Sequence, residues 1–340
     1  MTIIGQIVNG LAMKRREFIK LVGIVAASCP LAARAQQPRI PIVGFVGFAN
    51  ADDDAVTVNA FRKALVGFGH VEGRTIIVDT RSANGDVTRG HAMIDELVAL
   101  PVDVFLSPGP AAARAIARKT SIPVVAVALP AVQSDPELFQ SLSRPGGTVT
   151  GFSAFGEEIS ANRIEMLKEI VPGLKKLGVM HNATDPTFSA WGSQTIAYAR
   201  AAGIEPVRLG LSSPSVLQLT EQIGKLADGG GRAMIVIRDF LTVAMMKDIC
   251  RIAADARIAV IGEHAEIARA GALFSYGADL TDLFRRAAGY VDSILKGGKP
   301  AEMPIQLPAK FELIANVKIA RMLGLTFPAS ILVLADQVIE

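Results

Sequence analysis

Short apolar runs alternate with amphipathic stretches through the first half of the chain. Residues 40–48 form a β-branched apolar run without alternation, which predicts a strand that is covered on both faces. Val58, Phe61 and Leu65 then recur at helical spacing, and the predicted helix ends at Gly69. Further elements are predicted in this half, with strands at 75–79, 102–106 and 123–128 and helices at 87–100 and 111–118. Repeated βα units of this length indicate a parallel, doubly wound α/β sheet.

The alternation restarts after a helix predicted at 157–171. The second series has strands predicted at 177–180, 206–209, 233–237 and 259–261 and helices predicted at 188–202, 215–227 and 243–256. We therefore predict two Rossmann-like lobes with a boundary near residues 150–156, which also suits the length of the chain. Residues 271–307 fit either lobe, and repeated crossings of the chain between lobes would form a multi-strand hinge.

The first 35 residues have the features of an export signal. A basic cluster at 14–16 with two adjacent arginines precedes an apolar run at 21–33 and a small-residue cleavage site at 33–35. This pattern is typical of twin-arginine export, with cleavage near Ala35 and a periplasmic product. The apolar run is shorter than the ~20 residues that cross a bilayer, and retention as an N-terminal anchor is the alternative. Met13 lies directly before the basic cluster and is the favoured start of the protein.

The charge balance changes once this segment is removed. Residues 1–35 hold five of the 35 Lys and Arg residues but one of the 32 Asp and Glu residues, which leaves 30 basic and 31 acidic side chains. No electrostatic attraction to nucleic acid is therefore predicted. Cys29 lies in the signal and leaves Cys250 without a disulfide partner in the mature chain, although lipid attachment at Cys29 is an alternative. We expect a monomer.

Patterns for catalysis and metal binding are missing from the sequence. The four histidines lack the short spacings that place two metal ligands on one helix face. No Gly-x-Ser-x-Gly elbow, dinucleotide fingerprint or Walker lysine occurs. Cys250 lies in the middle of a predicted helix, where a buried structural thiol is expected. We therefore predict no catalytic residue, no metal and no cofactor.

Polar and loop residues follow the C-terminal ends of the predicted strands, where open α/β sheets bind ligands. From these positions we predict a ligand site that contains Asn50, Asp52, Ser107, Gly109, Pro110, Leu129, Pro130, His181, Asn182, Asp185, Arg238, Asp239, Glu263 and Tyr276. Asp52, Asp185 and Asp239 equally suit a second role, which is to cap the following helix. Arg238 suits two hydrogen bonds to a ligand carboxylate, or a structural pair with Asp239 or Glu263.

Several segments resemble a known protein family. Residues 141–153 read Ser-Leu-Ser-Arg-Pro-Gly-Gly-Thr-Val-Thr-Gly-Phe-Ser, and four later segments are similar to a C-terminal signature, at 271–277, 294–300, 310–316 and 335–340. The family is that of the ABC-type uncharacterised substrate-binding proteins of bacteria, which have the type I periplasmic binding fold and include tryptophan-type receptors. The resemblance implies that two lobes close on a small solute and deliver it unchanged to an inner-membrane permease.

The resemblance also implies how the chain crosses between lobes. Residues 36–155 and about 275–300 would form the N-terminal lobe, and residues 156–274 and about 301–340 would form the C-terminal lobe.

Loops at the expected cleft depart from the family. The segment at 180–186 keeps Asn182 and Pro186 but has Ala183 where the family has proline, and the loops at 107–110 and 130–134 are diverged. We therefore do not carry the family's amino-acid preference over to this chain. Arg238 favours a carboxylate-bearing solute, and the small number of aromatic residues predicts little surface for ring stacking. A secreted α/β enzyme and a sensor domain that docks to a signalling partner are the alternative functions.

Overall fold

The computed structural model describes residues 39–130, 135–154 and 157–340. The predicted export signal and Cys29 lie outside these residues, as do residues 131–134 of the diverged loop. Within the described ranges no helix is both long enough and apolar enough to cross a membrane.

The first lobe is a parallel sheet with helices on both faces, as the alternation predicted. Its strand order is β2-β1-β3-β4-β5, and every strand pair in it is parallel. The strands are β1 (Ile42–Gly47), β2 (Ile77–Ser82), β3 (Val104–Ser107), β4 (Val124–Leu129) and β5 (Val149–Ser153). The connecting helices are α1 (Ala51–Val66), α2 (Val87–Val98) and α3 (Pro110–Ala117). Separate apolar clusters cover the two faces, one around Phe61 and the other around Phe105.

The second lobe contains the larger sheet, in the order β12-β11-β10-β9-β8-β6-β7. Its strands are β6 (Lys176–Asn182), β7 (Glu205–Leu211), β8 (Ala233–Val236), β9 (Ala259–Gly262), β10 (Phe274–Ala278), β11 (Phe311–Asn316) and β12 (Gln337–Ile339). β10 and β11 are antiparallel, whereas the other neighbouring strands are parallel. The helices of this lobe are α4 (Glu157–Ile170), α5 (Pro186–Ala201), α6 (Val216–Asp228), α7 (Phe240–Ala244), α8 (Met246–Asp255), α9 (Ala265–Ala270), α11 (Val317–Leu323) and α12 (Ala329–Leu334).

The helix predicted at 243–256 is wrong in one respect, because the structure divides this region between α7 and α8. A capping box begins α7 early: the side chain of Asp239 accepts a hydrogen bond from the Thr242 amide, and the Thr242 side chain binds the Asp239 amide. Met245 then leaves helical geometry, with φ −103° and ψ 8°, and separates the two helices.

After β10 the chain returns to the first lobe. Helix α10 (Leu280–Leu295) packs there, and its Phe284 ring lies 6.5 Å from the ring of Phe45. Residues up to Gln306 stay on this lobe, because the Gln306 amide donates to the Gly151 carbonyl at 3.0 Å. The family resemblance implied crossings at about 275 and 301. In the structure β10 pairs with β11 up to Ala278, and Gln306 still bonds to the first lobe.

Candidate functional site

A cavity lies between the two lobes, at the C-terminal ends of strands from both parallel regions. Its empty volume is ≈ 600 Å³, part of which opens to solvent. First-lobe walls come from the residues after β1, the start of α3 and the ends of β4 and β5, whereas second-lobe walls come from α5, α7 and the ends of β8 and β9. This is the crevice in which open α/β sheets bind ligands.

Aromatic rings form much of the cavity wall. Phe48 of the first lobe contacts Phe240 of the second, with ring centroids 5.7 Å apart and planes at 83°. Phe188 and Trp191, on the first two turns of α5, lie nearly parallel with centroids 6.4 Å apart. The sequence predicted little surface for ring stacking, whereas four aromatic side chains line this cavity, namely Phe48, Phe188, Trp191 and Phe240.

The start of α3 supplies the wall of the cavity opposite these rings. Gly109 and Pro110 line it together with the first alanines of the helix, and Pro110 occupies the first helical turn. The Ser107 hydroxyl donates to the Gly109 carbonyl at 2.9 Å and fixes the loop from behind. Because amide N–H groups at a helix N-terminus carry partial positive charge, this end of the cavity favours a carboxylate.

Asp54 places a carboxylate in the first-lobe wall. Its side chain is buried, and Oδ2 accepts a hydrogen bond from the Ser82 hydroxyl at 2.6 Å. Gly47 is required beside it, since a Cβ there would overlap the Asp54 carboxylate. The predicted acidic residue in this turn, Asp52, is exposed and lies outside the cavity wall.

Arg238 lines the cavity, but its structural partner differs from both predicted candidates. The Nε atom of Arg238 pairs with Oε1 of Glu266 at 3.0 Å, whereas Glu263 accepts from the backbone amide of Arg238, at 3.0 Å, and not from its guanidinium. Arg238 thus lines the cavity while its guanidinium is paired with Glu266.

Asp239 lines the cavity and caps α7, so it combines the two roles that the sequence left open. Its Oδ1 accepts from the Thr242 amide at 2.8 Å, and Oδ2 is buried without a hydrogen-bond partner among the described residues. Burial raises the pKa of Asp239 to about 6, although the hydrogen bonds with Thr242 and the neighbouring Asn182 side-chain amide oppose that rise. An unpaired buried carboxylate oxygen is unfavourable until a donor reaches it.

Glu263 and His264 end β9 at the cavity. Glu263 pairs with Arg163 at 3.1 Å, both side chains being almost fully buried. Burial raises the pKa of Glu263, while the charge of Arg163 opposes the rise. Nδ1 of His264 lies 2.9 Å from the Ala278 carbonyl, and burial lowers the pKa of His264 to about 4. The ring is therefore neutral at pH 7, with a proton on Nδ1.

Five of the predicted site residues line the cavity, namely Gly109, Pro110, Arg238, Asp239 and Glu263. The others lie elsewhere, namely Asn50, Asp52, Ser107, Leu129, Pro130, His181, Asn182, Asp185 and Tyr276. Asn50 precedes α1, and Leu129 and Pro130 are buried at the end of β4.

Four of these outlying residues have structural contacts in the second lobe. His181 contacts Arg208, with 3.1 Å between the ring Nε2 and the guanidinium. The side-chain oxygen Oδ1 of Asn182 accepts from the Thr184 amide at 2.9 Å. Asp185 caps α5, and Tyr276 packs against the Phe311 ring in a different surface groove.

The described residues contain no group of three or more His, Cys, Asp or Glu side chains arranged to hold a metal ion. Cys250 is buried, and burial raises its pKa to about 12, so its thiol stays protonated at neutral pH.

Comparison with known proteins reveals relatives across most of the chain. The chain is 26% identical over 263 residues to the tyrosine-binding protein of Clostridioides difficile (strain R20291), which covers 75% of this chain and 73% of the relative.

Two solved structures share the fold. A conserved domain protein from Vibrio cholerae has a TM-score of 0.82 and 22% identity, with 88% of this chain and 100% of that chain covered. An ABC domain from Streptococcus pneumonia, solved in complex with L-Trp, has a TM-score of 0.81 and 23% identity, with 88% and 99% covered. These likenesses confirm the predicted fold of two α/β lobes.

The sequence model for the ABC transporter substrate binding protein matches residues 40–339. The resemblance found in the motifs is thereby confirmed, and the chain belongs to the ABC transporter substrate binding protein family.

Proposed function

We propose that this protein is the exported receptor of an ABC importer and that its cavity encloses an amino acid with an aromatic side chain. The observation that carries the proposal is the arrangement of the cavity wall, which combines acidic groups, a positive end and several rings. The receptor binds and releases the amino acid unchanged, and the permease takes it up from the closed form.

Opposite charges in the cavity suit the two charged groups of an amino acid. Asp54 in one lobe and Asp239 in the other offer carboxylates to the ligand ammonium group. The start of α3 and the guanidinium of Arg238 offer positive charge to the ligand carboxylate. An ammonium group held by both lobes would favour closure, because its bonds to Asp54 and Asp239 form together only in the closed state.

The rings suit an aromatic side chain rather than a sugar or a short organic acid. Phe48, Phe188, Trp191 and Phe240 offer apolar faces and edges, and ring pairs add stability beyond the area they bury. The tyrosine-binding relative and the structure solved with L-Trp support the same class of ligand.

A binding screen with matched analogues tests this proposal. We expect L-tryptophan, L-tyrosine or L-phenylalanine to stabilise the mature protein in a thermal-shift assay, by about 2.7 kcal/mol at 100 times the dissociation constant. Indole-3-propionate lacks the ammonium group and tryptamine lacks the carboxylate, so each should bind at least about 10-fold more weakly than L-tryptophan.

Asp54→Asn should weaken the binding of L-tryptophan by about 10-fold or more but leave the affinity for indole-3-propionate unchanged, because only L-tryptophan has an ammonium group. Asp52→Asn is the matched control, since Asp52 is exposed in the same helical turn and should change neither affinity. Equal affinity for L-tryptophan and indole-3-propionate, or preference for a sugar, would contradict the proposal.

We also infer that the chain reaches the periplasm through its twin-arginine signal. The adjacent Arg15 and Arg16, the apolar run at 21–33 and the site at 33–35 support this route. Replacing both arginines by lysine should leave the precursor in the cytoplasm, whereas the parent sequence yields a shorter mature form in the periplasmic fraction. Normal export of the double variant, measured by cell fractionation and immunoblotting, would rule out the route.

A further inference from the structure

Four buried side chains join the two lobes outside the ligand cavity. Arg114 of α3 pairs with Asp185 of the second lobe at 3.0 Å and also binds Asp135 of its own lobe. The hydroxyl of Thr187, in the second lobe, accepts from Arg114 and donates to the Asp135 carboxylate at 2.9 Å. None of the four lines the ligand cavity.

The network connects the two helices that supply opposite walls of that cavity. Arg114 lies one turn after Pro110 and Ala111, which line the cavity from the first lobe. Asp185 caps α5 by accepting from the amides of Thr187 and Phe188, and the Phe188 ring lines the cavity from the second lobe. A bond between Arg114 and Asp185 therefore fixes the separation of these walls without contacting the ligand.

The complete set of contacts in the network forms only while the lobes are together. One guanidinium serves Asp135 and Asp185, one carboxylate in each lobe, and all three groups are buried in this arrangement. Separation of the lobes would return Asp185 and Thr187 to water and leave the Arg114–Asp135 pair in the first lobe. Substitution of one partner in such a buried pair strongly destabilises the closed form, because the other charge stays buried without compensation.

We propose that Arg114, Asp135, Asp185 and Thr187 form an inter-lobe latch that slows release of any ligand by the same factor. These four residues stabilise the closed state and make no contact with the ligand. The inference rests on the proposed function only through its readout, which is ligand release.

Asp185→Asn tests the latch most directly. Asparagine caps a helix as well as aspartate does, so α5 is kept while the negative charge toward Arg114 is removed. We expect release rates measured by stopped-flow to rise about 10-fold for L-tryptophan, L-tyrosine and L-phenylalanine alike, with little change in association rate. Thr187→Val removes the cross-lobe hydroxyl at constant shape and should raise the release rate of each amino acid by one common factor.

Glu137→Gln is the matched control. Glu137 pairs with Arg118, the residue that follows α3, but this pair is exposed and lies within the first lobe. The release rates measured for Glu137→Gln should match those of the parent protein. Unchanged release from Asp185→Asn, or rates that change by different factors for the three amino acids, would overturn the latch; the second result would instead indicate direct ligand contact.

Small-angle scattering separates failure of the latch from failure of the proposed ligand. If none of the three amino acids binds, the proposed function is wrong. Scattering from the ligand-free protein still tests the latch. The parent should then show a smaller radius of gyration than Asp185→Asn, because the latch favours the closed form. Equal radii would overturn the latch.

Discussion

Replacing Glu263 by alanine is expected to lower the free energy of unfolding by about 3–5 kcal/mol, because it leaves Arg163 charged and buried. Arg163 donates from Nε to the Tyr276 carbonyl at 2.6 Å and from Nη1 to Glu263 at 3.1 Å. Burial already lowers the pKa of Arg163, and the charge of Glu263 is the main opposing effect. The pair therefore joins α4, β9 and β10 at the back of the cavity.

Urea unfolding of the ligand-free protein measures this effect. The double variant Arg163→Met/Glu263→Met should recover much of the loss, since two apolar side chains leave no buried charge. Glu221→Ala is the matched control, because Glu221 forms an exposed pair with Lys225 on α6 and its loss should be small. A urea midpoint for Glu263→Ala equal to that of Glu221→Ala would contradict the stabilising role of the buried pair.

The alternation of apolar runs and amphipathic stretches predicted two doubly wound α/β lobes, and the family resemblance implied the type I periplasmic binding fold. Parallel strands buried on both faces have continuous apolar sequences, and this local property survives in β1, β3 and β8. The antiparallel pairing of β10 with β11 was not predictable in the same way. It joins segments separated by a whole helix that packs on the other lobe, and no local sequence pattern identifies the strand with which β10 pairs.

Some cavity residues that follow strands were predicted, whereas most of those that project from helices, and Phe48 directly after β1, were missed. Arg238, Asp239 and Glu263 lie within three residues of the ends of β8 and β9, which is why strand ends indicated them. Asp54 and Trp191 lie within helices, where the side that faces the cleft depends on how each helix packs. Helical spacing of Phe188 and Trp191 three residues apart was the available signal.

Pairing between charged residues was the least predictable feature of the site. Arg238 had two acidic residues close by in sequence or at the adjacent strand end, yet its side chain pairs with Glu266. Likewise, Asp185 was predicted as a ligand contact or a cap, and the structure adds a partner from the opposite lobe. Such pairs depend on the relative position of whole elements, which the hydrophobic pattern does not encode.

Ligand affinity is expected to fall about 10-fold for each pH unit below the pKa of Asp239, which is about 6. Above that pH the buried carboxylate is ionised and offers Oδ2 to the ligand ammonium group. Below it, the carboxyl is neutral and its attraction for a cation is lost, while the amino acid keeps both of its charges. His264 does not produce this change, because its pKa of about 4 keeps the ring neutral through most of the range.

Stability should vary less than affinity over the same range. The folded pKa of Asp239, about 6, exceeds the ordinary aspartate value of 3.8, so its stabilising contribution is complete below pH 3.8 and is lost as the pH rises through 6. The pKa of His264, about 4, lies below the ordinary histidine value of 6.5, so its contribution is complete above pH 6.5 and is lost as the pH falls through 4. Each amounts to about 3 kcal/mol, and the two offset each other.

Calorimetric titration with L-tryptophan between about pH 4.5 and 7.5 measures the change in affinity, with thermal unfolding at each pH as the control for the fold. Asp239→Asn keeps the cap on α7 and should bind weakly at every pH, without the slope below pH 6, because its amide does not titrate. A slope that persists in Asp239→Asn would assign the titrating group to another residue. An affinity that stays constant in the parent protein would mean that Asp239 does not bind the ammonium group, and that the acidic contact comes from Asp54 in the opposite wall.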